Sequence, residues 1–412
     1  MSYFQAASGT ATTEALTHFY NELNIELNAI LEYWNANALD LLNGGFIGRI
    51  DEQNKQHSEA PKGAVLNARI LWAFSAAYKI TNNPKHLHLA EVAFNYLANI
   101  FLDKKYGGVY WSVDAEGKPL DTKKQVYALA FAIYGCCAYF EVSHNETTKS
   151  IAITLYNEIE KHSFDEENTG YMEAFTREWE PLDDLRLSGK DANEKKTMNT
   201  HLHILESYTS LYQVWPDGKL KQQIKKLLSN FKDHIVDAAT SHLILFFDEQ
   251  WNKKSNTISY GHDIEAAWLL LEAAEALHEQ DLIENIKKTS VKIGLAAAEA
   301  LDNDGGLWYE YEVDHQHLVK EKHWWVQAEA MVGFFNHWQL TNNRRFLERS
   351  IKSWQYVKAN IKDDKYGEWL WGRNADGSAM EHQDKVGIWK CPYHNSRACI
   401  EIMKRIKPLL KT

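Results

Sequence analysis

The feature that most restricts what this chain can fold into is a short glycine-and-aromatic turn that returns at a nearly fixed interval. It reads NGGFIGRID from Asn43, YGGVYWSVD from Tyr106, TGYMEAF from Thr169, DGGLWYEYE from Asp304 and YGEWLWGRN from Tyr366. The first glycines fall at residues 44, 107, 170, 305 and 367, giving three intervals of 63, 63 and 62 residues and one of 135. LFFDEQW, from Leu245 to Trp251, lies inside the long interval and is read as the missing turn without its glycines. A fixed period of this length marks units that stack on copies of themselves.

Between the turns the apolar residues follow the 3.6-residue period of a helix, two segments to an interval. The pairs are Leu66–Tyr78 with Lys85–Phe101, Val126–Phe140 with Thr148–Lys161, Asn199–Tyr212 with Leu220–Ala238, Ile264–Leu277 with Asp281–Leu301, and Trp325–Gln339 with Phe346–Ile361. Ser396–Leu410 can join the amino-terminal helix Thr13–Leu42 as the sixth. Helical hairpins that need a neighbour to bury their apolar faces form an open solenoid or a closed ring. Pairing of the first and last helices favours closure. The expected fold is all-α, an (α/α)6 toroid of six hairpins forming one domain over residues 1–412, with a pocket at one end of the inner ring.

Composition narrows the partners. A net charge of -11 and the lack of a basic stripe argue against nucleic acid and anionic membranes. KLKQQIKK, Lys219–Lys226, has the spacing of a solvated helix face. Cys136, Cys137, Cys391 and Cys399 form no CxxC pair, as expected of reduced thiols in the cytoplasm. Met1–Thr13 is polar, and no stretch is read as reaching the roughly 18 uncharged apolar residues of a membrane helix. The 15 Trp and 20 Tyr suit the alternating CH faces and hydroxyls of a sugar. A monomer or weak homodimer with a small-molecule substrate is expected.

The chemistry-bearing residues fall at the starts of the first helix of each pair. Arg69 places a charge in the apolar run GAVLNARILW, where it needs a partner or a ligand, and Tyr127 opens the next helix. In MNTHLHILES, Asn199, His203 and Glu206 share a face while His201 points away, so the two histidines cannot chelate one ion. No HExxH is present, and no metal or cofactor is expected. SYGHDIEAAW sets His262 three residues from Glu265 on one helix face, with Asp263 placed to cap. HWWVQAEAM offers Trp324 and Trp325, only one of which is expected to face the pocket, and Glu329 one turn beyond. GIWKCPYHNSRA carries Trp389 and sets His394 at a helix start after Pro392. Each histidine alone is more often a cap than a catalyst. Jointly, two histidines facing across a pocket can take a proton from one side of a carbon and return one to the other, with an arginine holding enediolate oxygens.

KGAVLNARILW, KTMNTHLHILE, YGHDIEAAW, HWWVQAEAM and WKCPYHNSRA, in this order and spacing through nearly the whole chain, resemble the N-acylglucosamine 2-epimerase superfamily. That resemblance implies a cofactor-free (α/α)6 barrel in which His262 and His394 are the paired acid and base at C2 of a ring-opened reducing-end sugar. It further implies that Arg69, His203 and Glu265 hold the ring oxygen, the enediolate and the orientation of His262. Asn199, Tyr127 and Glu329 match its positions for the reducing-end sugar, and Trp325 and Trp389 its stacking positions. Ser188 and Asp191, in RLSGKDANEKK, match its loop at an outer sugar. In disaccharide epimerases of that family such a loop covers the non-reducing sugar, so with the polar insertion Arg177–Lys196 the resemblance implies a β-1,4-disaccharide, free mannose or glucose being the alternative. Two other readings are an inverting glycoside hydrolase using carboxylates among Asp248, Glu249, Asp263 and Glu265, and a helical-repeat binding protein without chemistry.

Overall fold

Two kinds of helix alternate along the chain, and the alternation sorts them into two rings. In the computed structural model, which describes residues 10–410, α2 (Ala64–Thr81), α4 (Val126–Ser143), α6 (Met198–Val214), α8 (Tyr260–Ala276), α10 (Trp324–Thr341) and α12 (Tyr393–Ile406) are buried on nearly every side. The helices α1 (Thr10–Asn37), α3 (Pro84–Tyr96), α5 (Glu146–His162), α7 (Gly218–Asn230), α9 (Gln280–Ala297) and α11 (Arg344–Tyr356) bury one stripe and expose the other. A helix apolar all round belongs inside, and an amphipathic one faces water. Accordingly α2, α4, α6, α8, α10 and α12 touch in that order and α12 returns to α2, closing the inner ring. Each outer helix packs on an inner one, and α1 packs on α12. The fold is the (α/α)6 toroid, and most of Met1–Thr13 lies outside the described residues.

The same knot fastens every unit. After each outer helix an aspartate N–H donates to a carbonyl four or five residues on: Asp40 to Gly45, Asp103 to Gly108, Asp165 to Gly170, Asp237 to His242, Asp302 to Gly306 and Asp363 to Glu368. A β-bridge flanks each, from Leu39 with Phe46 round to Lys362 with Trp369. In five units a lysine clamps the turn's aspartate: Lys62 on Asp40 at 2.7 Å, Lys124 on Asp103 at 2.9 Å, Lys196 on Asp165 at 2.8 Å, Lys322 on Asp302 at 2.7 Å and Lys385 on Asp363 at 2.5 Å.

The fourth turn is therefore Asp237–His242 and not Leu245–Trp251, which corrects the register read from glycines. Ser241 stands where glycine stands in the first, second and sixth turns, at φ 66°, and its N–H returns to Asp237 O at 2.8 Å. A side chain in the left-handed region costs about 1 kcal/mol that glycine avoids. Ser241→Gly is expected to raise the stability by up to ~1 kcal/mol, read as a higher urea midpoint at unchanged slope.

One expectation about composition also changes. Among the described residues α4 is the one helix long and apolar enough to cross a membrane by length and composition, and it is 72% buried in the fold. Its apolar run comes from being packed between α2 and α6, with α5 on its outer side. All four cysteines are buried free thiols.

Candidate active site

The repeat carries one position of each inner helix to the same depth. Counting from the first helical residue, the sixth is Arg69 in α2, Phe131 in α4, His203 in α6, Glu265 in α8 and Glu329 in α10, and Arg397 is the fifth of α12. Of these side chains Arg69, His203 and Glu265 line the floor of a pocket, and Phe131, Glu329 and Arg397 pack against them from behind. Arg69 lies over the Phe131 ring at 4.1 Å, and Phe131 packs on His203 at 4.7 Å.

Arg397 was not singled out in the sequence, yet it organises the floor. It is wholly buried and donates to Glu206, Glu265 and Glu329, to the last at 2.7 Å. It also donates to Tyr393 OH, which itself donates to Glu206 Oε1 at 2.5 Å. Burial would raise all three carboxyls, but Arg397 and a histidine partner hold Glu206 and Glu329 at about 2. Glu265, buried and facing both of those anions, is pushed up to about 8 despite Arg397, so it keeps a proton at neutral pH. The ligand atoms of Glu265, Glu329 and His394 lie within 4.8 Å of one another, close enough for a metal ion. Arg397 already supplies a cation to that group.

Twelve of the thirteen residues singled out in the sequence line one cavity of about 270 Å³: Arg69, Tyr127, Ser188, Asp191, Asn199, His203, His262, Glu265, Trp324, Trp325, Trp389 and His394. The exception is Glu329, which lies behind His394 and accepts from its Nδ1 at 2.7 Å and from Trp268 Nε1 at 3.1 Å. Its match to a sugar-binding position is corrected to a support for the imidazole. Both Trp324 and Trp325 line the cavity, where one was expected. Leu187, Lys190, Tyr309, His323 and Trp371 complete the wall. Tyr309 and Trp371 sit in the aromatic turns DGGLWYEYE and YGEWLWGRN, a signal used for the period and not for the site.

His262 and His394 both pack on the Trp325 indole, at 4.8 and 5.7 Å between centroids. Gly261 makes this approach possible, since a Cβ there would lie 2.5 Å from the Trp325 ring. His262 Nδ1 is 2.8 Å from Ser259 Oγ. The side-chain partner of His262 is thus Ser259 and not Glu265, whose carboxyl Arg397 draws to itself. Asp263 does not cap α8 either; it accepts from Leu243 N at 2.8 Å and bonds His242 Nδ1 at 2.7 Å, tying α8 to the fourth turn. His203 bonds Glu206 at 2.8 Å as its spacing implied, and His201 turns away to Thr197 O and Tyr171 N.

Among the described residues the Nε2 atoms of His262 and His394 have no hydrogen-bond partner, and both residues line the cavity. Burial above all pushes both imidazoles down to about 3, helped by the neighbouring His203 and His394 rings at His262 and by Arg69 and Arg397 at His394, with Glu329 opposing. Both are neutral bases at neutral pH. Since a lowered value keeps the basic form to lower pH, the acid limb of kcat/KM is expected well below the ordinary imidazole value of about 6.5. A pH–rate profile with its acid limb at or above 6.5 would contradict this arrangement.

Arg69 has no carboxylate partner; Nη2 donates to Tyr127 OH at 2.7 Å and Nε is buried without a partner. Asn199 Oδ1 and Trp324 Nε1 are also buried and unpaired. All three atoms belong to residues that line the cavity beside the two bases. Of the carboxylates weighed for a hydrolase only Glu265 reaches the cavity; Asp248 holds its own turn through Gln250 and Asn252.

Residues 45–398 match the family described as N-acylglucosamine 2-epimerase (GlcNAc 2-epimerase). The chain is 49% identical over 383 residues to a cellobiose 2-epimerase of Bacteroides fragilis, covering 93% of this chain and 98% of that one. It is 38% identical over 387 residues to a cellobiose 2-epimerase of Ruminococcus albus, at 93% and 98% coverage. The solved cellobiose 2-epimerase of Bacillus thermoamylovorans superposes with a TM-score of 0.91 at 38% identity, covering 94% of this chain and all of that one. A family match over residues 45–398 and identities of 38–49% over more than nine-tenths of the chain place it in the N-acylglucosamine 2-epimerase family.

Proposed function

We propose that the protein is a sugar 2-epimerase that interconverts glucose and mannose at the reducing end of a β-1,4-linked disaccharide such as cellobiose or lactose, with residues 1–412 acting as one catalytic unit. The observation that carries this is the pair of neutral imidazoles, His262 and His394, each held through Nδ1 and each presenting a free Nε2 to one cavity. With a ring-opened aldose between them, one takes the C2 proton. The electron pair moves to the C1 oxygen, and the enediolate lies beside the Arg69 guanidinium, which has no carboxylate partner among the described residues. The opposite imidazole takes a proton from solvent in the cavity and delivers it to the other face of C2 as the electron pair returns from the C1 oxygen and restores the carbonyl. The first imidazole releases its proton to solvent. Glu265 holds a proton in the same cavity.

A disaccharide is favoured over a free monosaccharide by the space beyond the bases. The catalytic cavity continues into a second one of about 460 Å³, and Ser188, Lys190, Asp191, Asn199, His262 and Tyr309 line both. The loop carrying Ser188 and Asp191 is held in place by Gln125, which donates to Leu185 O and Arg186 O at 3.0 Å. Tryptophan faces at the mouth suit the CH faces of a sugar. The buried free thiols fit a reducing compartment such as the cytoplasm.

Proton NMR of cellobiose, lactose and mannose in deuterated buffer tests the assignment. Epimerisation places deuterium at C2 of the reducing unit without loss of the glycosidic bond. Released monosaccharide would make the protein a hydrolase, and faster turnover of mannose than of either disaccharide would move the substrate to a free hexose.

A further inference from the structure

Serine is among the side chains preferred just ahead of a helix, because its hydroxyl accepts from a free N–H of the first turn. Thr197 does this for α6, accepting from Thr200 N at 3.1 Å. Ser259 holds the matching position before α8, with extended backbone at φ -112° and ψ 100°, and makes no cap bond. Its hydroxyl lies instead 2.8 Å from His262 Nδ1. The side chain is 1% exposed, so water does not compete for it.

The surroundings of Ser259 also depart from the repeat. Lys62, Lys124, Lys196 and Lys322 stand two residues before their inner helices and clamp turn aspartates, whereas Ile258 precedes Ser259. Here Thr257–Ser259 is a strand paired with Glu310–Glu312, Ser259 opposite Glu310, and Tyr260 N donates to Tyr309 O at 3.3 Å. A backbone fixed on one side leaves the hydroxyl fixed on the other.

The two imidazoles are therefore backed by unlike partners. His394 Nδ1 meets a carboxylate, which only accepts, and His262 Nδ1 meets a neutral hydroxyl. We propose that Ser259 is the positioning residue of His262: its hydroxyl accepts from Nδ1–H, keeps Nε2 on the sugar, and so governs proton transfer at one face of C2 alone. This rests on the epimerase reading. At that face the C2–H bond breaks as the proton passes to Nε2 and the electron pair moves to the C1 oxygen. In the return step the Nε2–H bond breaks, C2–H forms and the C1 carbonyl is restored. Nδ1 keeps its proton and its bond to Ser259 throughout.

The test compares the full-length wild type with Ser259→Ala and Ser259→Thr in deuterium oxide, starting separately from cellobiose and from its glucosyl-mannose epimer. For each, two quantities are read: deuterium entering the recovered starting sugar, and epimer formed. Wild type must first show turnover with exchange at C2; without that, the epimerase reading itself falls. Loss of a hydrogen bond to a transiently charged ring lowers kcat about tenfold or more. In Ser259→Ala the ratio of exchange to epimerisation rises from one sugar and falls from the other, because only one face is impaired. Ser259→Thr, which retains the hydroxyl, restores both ratios. Unchanged kcat, or ratios that stay fixed for both sugars while kcat falls, would mean that Ser259 serves the fold alone. Ser259→Cys, close in size with a weaker acceptor, gives the same reading should the alanine variant fold poorly.

Discussion

His394→Ala and His262→Ala are each expected to lower kcat by about 10²–10⁴-fold while sugar binding changes little. The fold should survive either change. Glu329 keeps its bonds to Arg397 and Trp268 when His394 is removed, and Ser259 sits on a paired strand when His262 is removed. Binding survives because the unpaired Arg69, Asn199 and Trp324 atoms and the indole faces are untouched. Single-turnover assays with calorimetric titration of cellobiose separate the two effects. Each variant retains one base, so slow deuterium exchange at C2 without inversion should persist from one epimer only, and from the opposite epimer in the other variant. Near wild-type turnover in either one would remove that histidine from the proton path.

Arg397→Leu is expected to be the most destabilising single change in the protein. The guanidinium is wholly buried and is the shared partner of Glu206, Glu265 and Glu329, which come from three different helices. Removing it leaves carboxylates uncompensated inside the ring, a loss of about 3–5 kcal/mol where one partner of a buried pair is deleted. That is a large share of the roughly 5–15 kcal/mol by which a domain is stable. Arg397→Lys should recover only part, because a point charge cannot bridge the three carboxylates as a planar fork does. Urea unfolding measures this through the midpoint. A midpoint within experimental error of wild type for Arg397→Leu would show that the floor does not depend on its cation.

The ring was legible because its period is written twice, in helix spacing and in the turns, and the inner helices begin within a few residues of where periodicity places them. The fourth turn was misplaced because glycine is only one way to occupy a left-handed position. The aspartates at 40, 103, 165, 237, 302 and 363 mark all six turns, Ser241 included, and would have kept the register. The cavity residues were legible as polar side chains at helix starts. Their partners were less so. Three residues on a helix put His262 and Glu265 within reach of each other, but a buried guanidinium from α12 attracts the carboxyl more strongly than a neutral imidazole does. Arg397 itself follows His394 by only three residues, and nothing local shows that its partners lie 68, 132 and 191 residues away.

Because α12 both closes the ring and carries His394 and Arg397, the candidate centre is complete only once this helix has docked between α10 and α2. Until then the nascent polypeptide holds Glu206, Glu265 and Glu329 with no counter-charge, so they keep protons or remain in water. Eleven of the twelve described α-helices can thus be formed without a working interior, and deletion of α12 is expected to leave no activity.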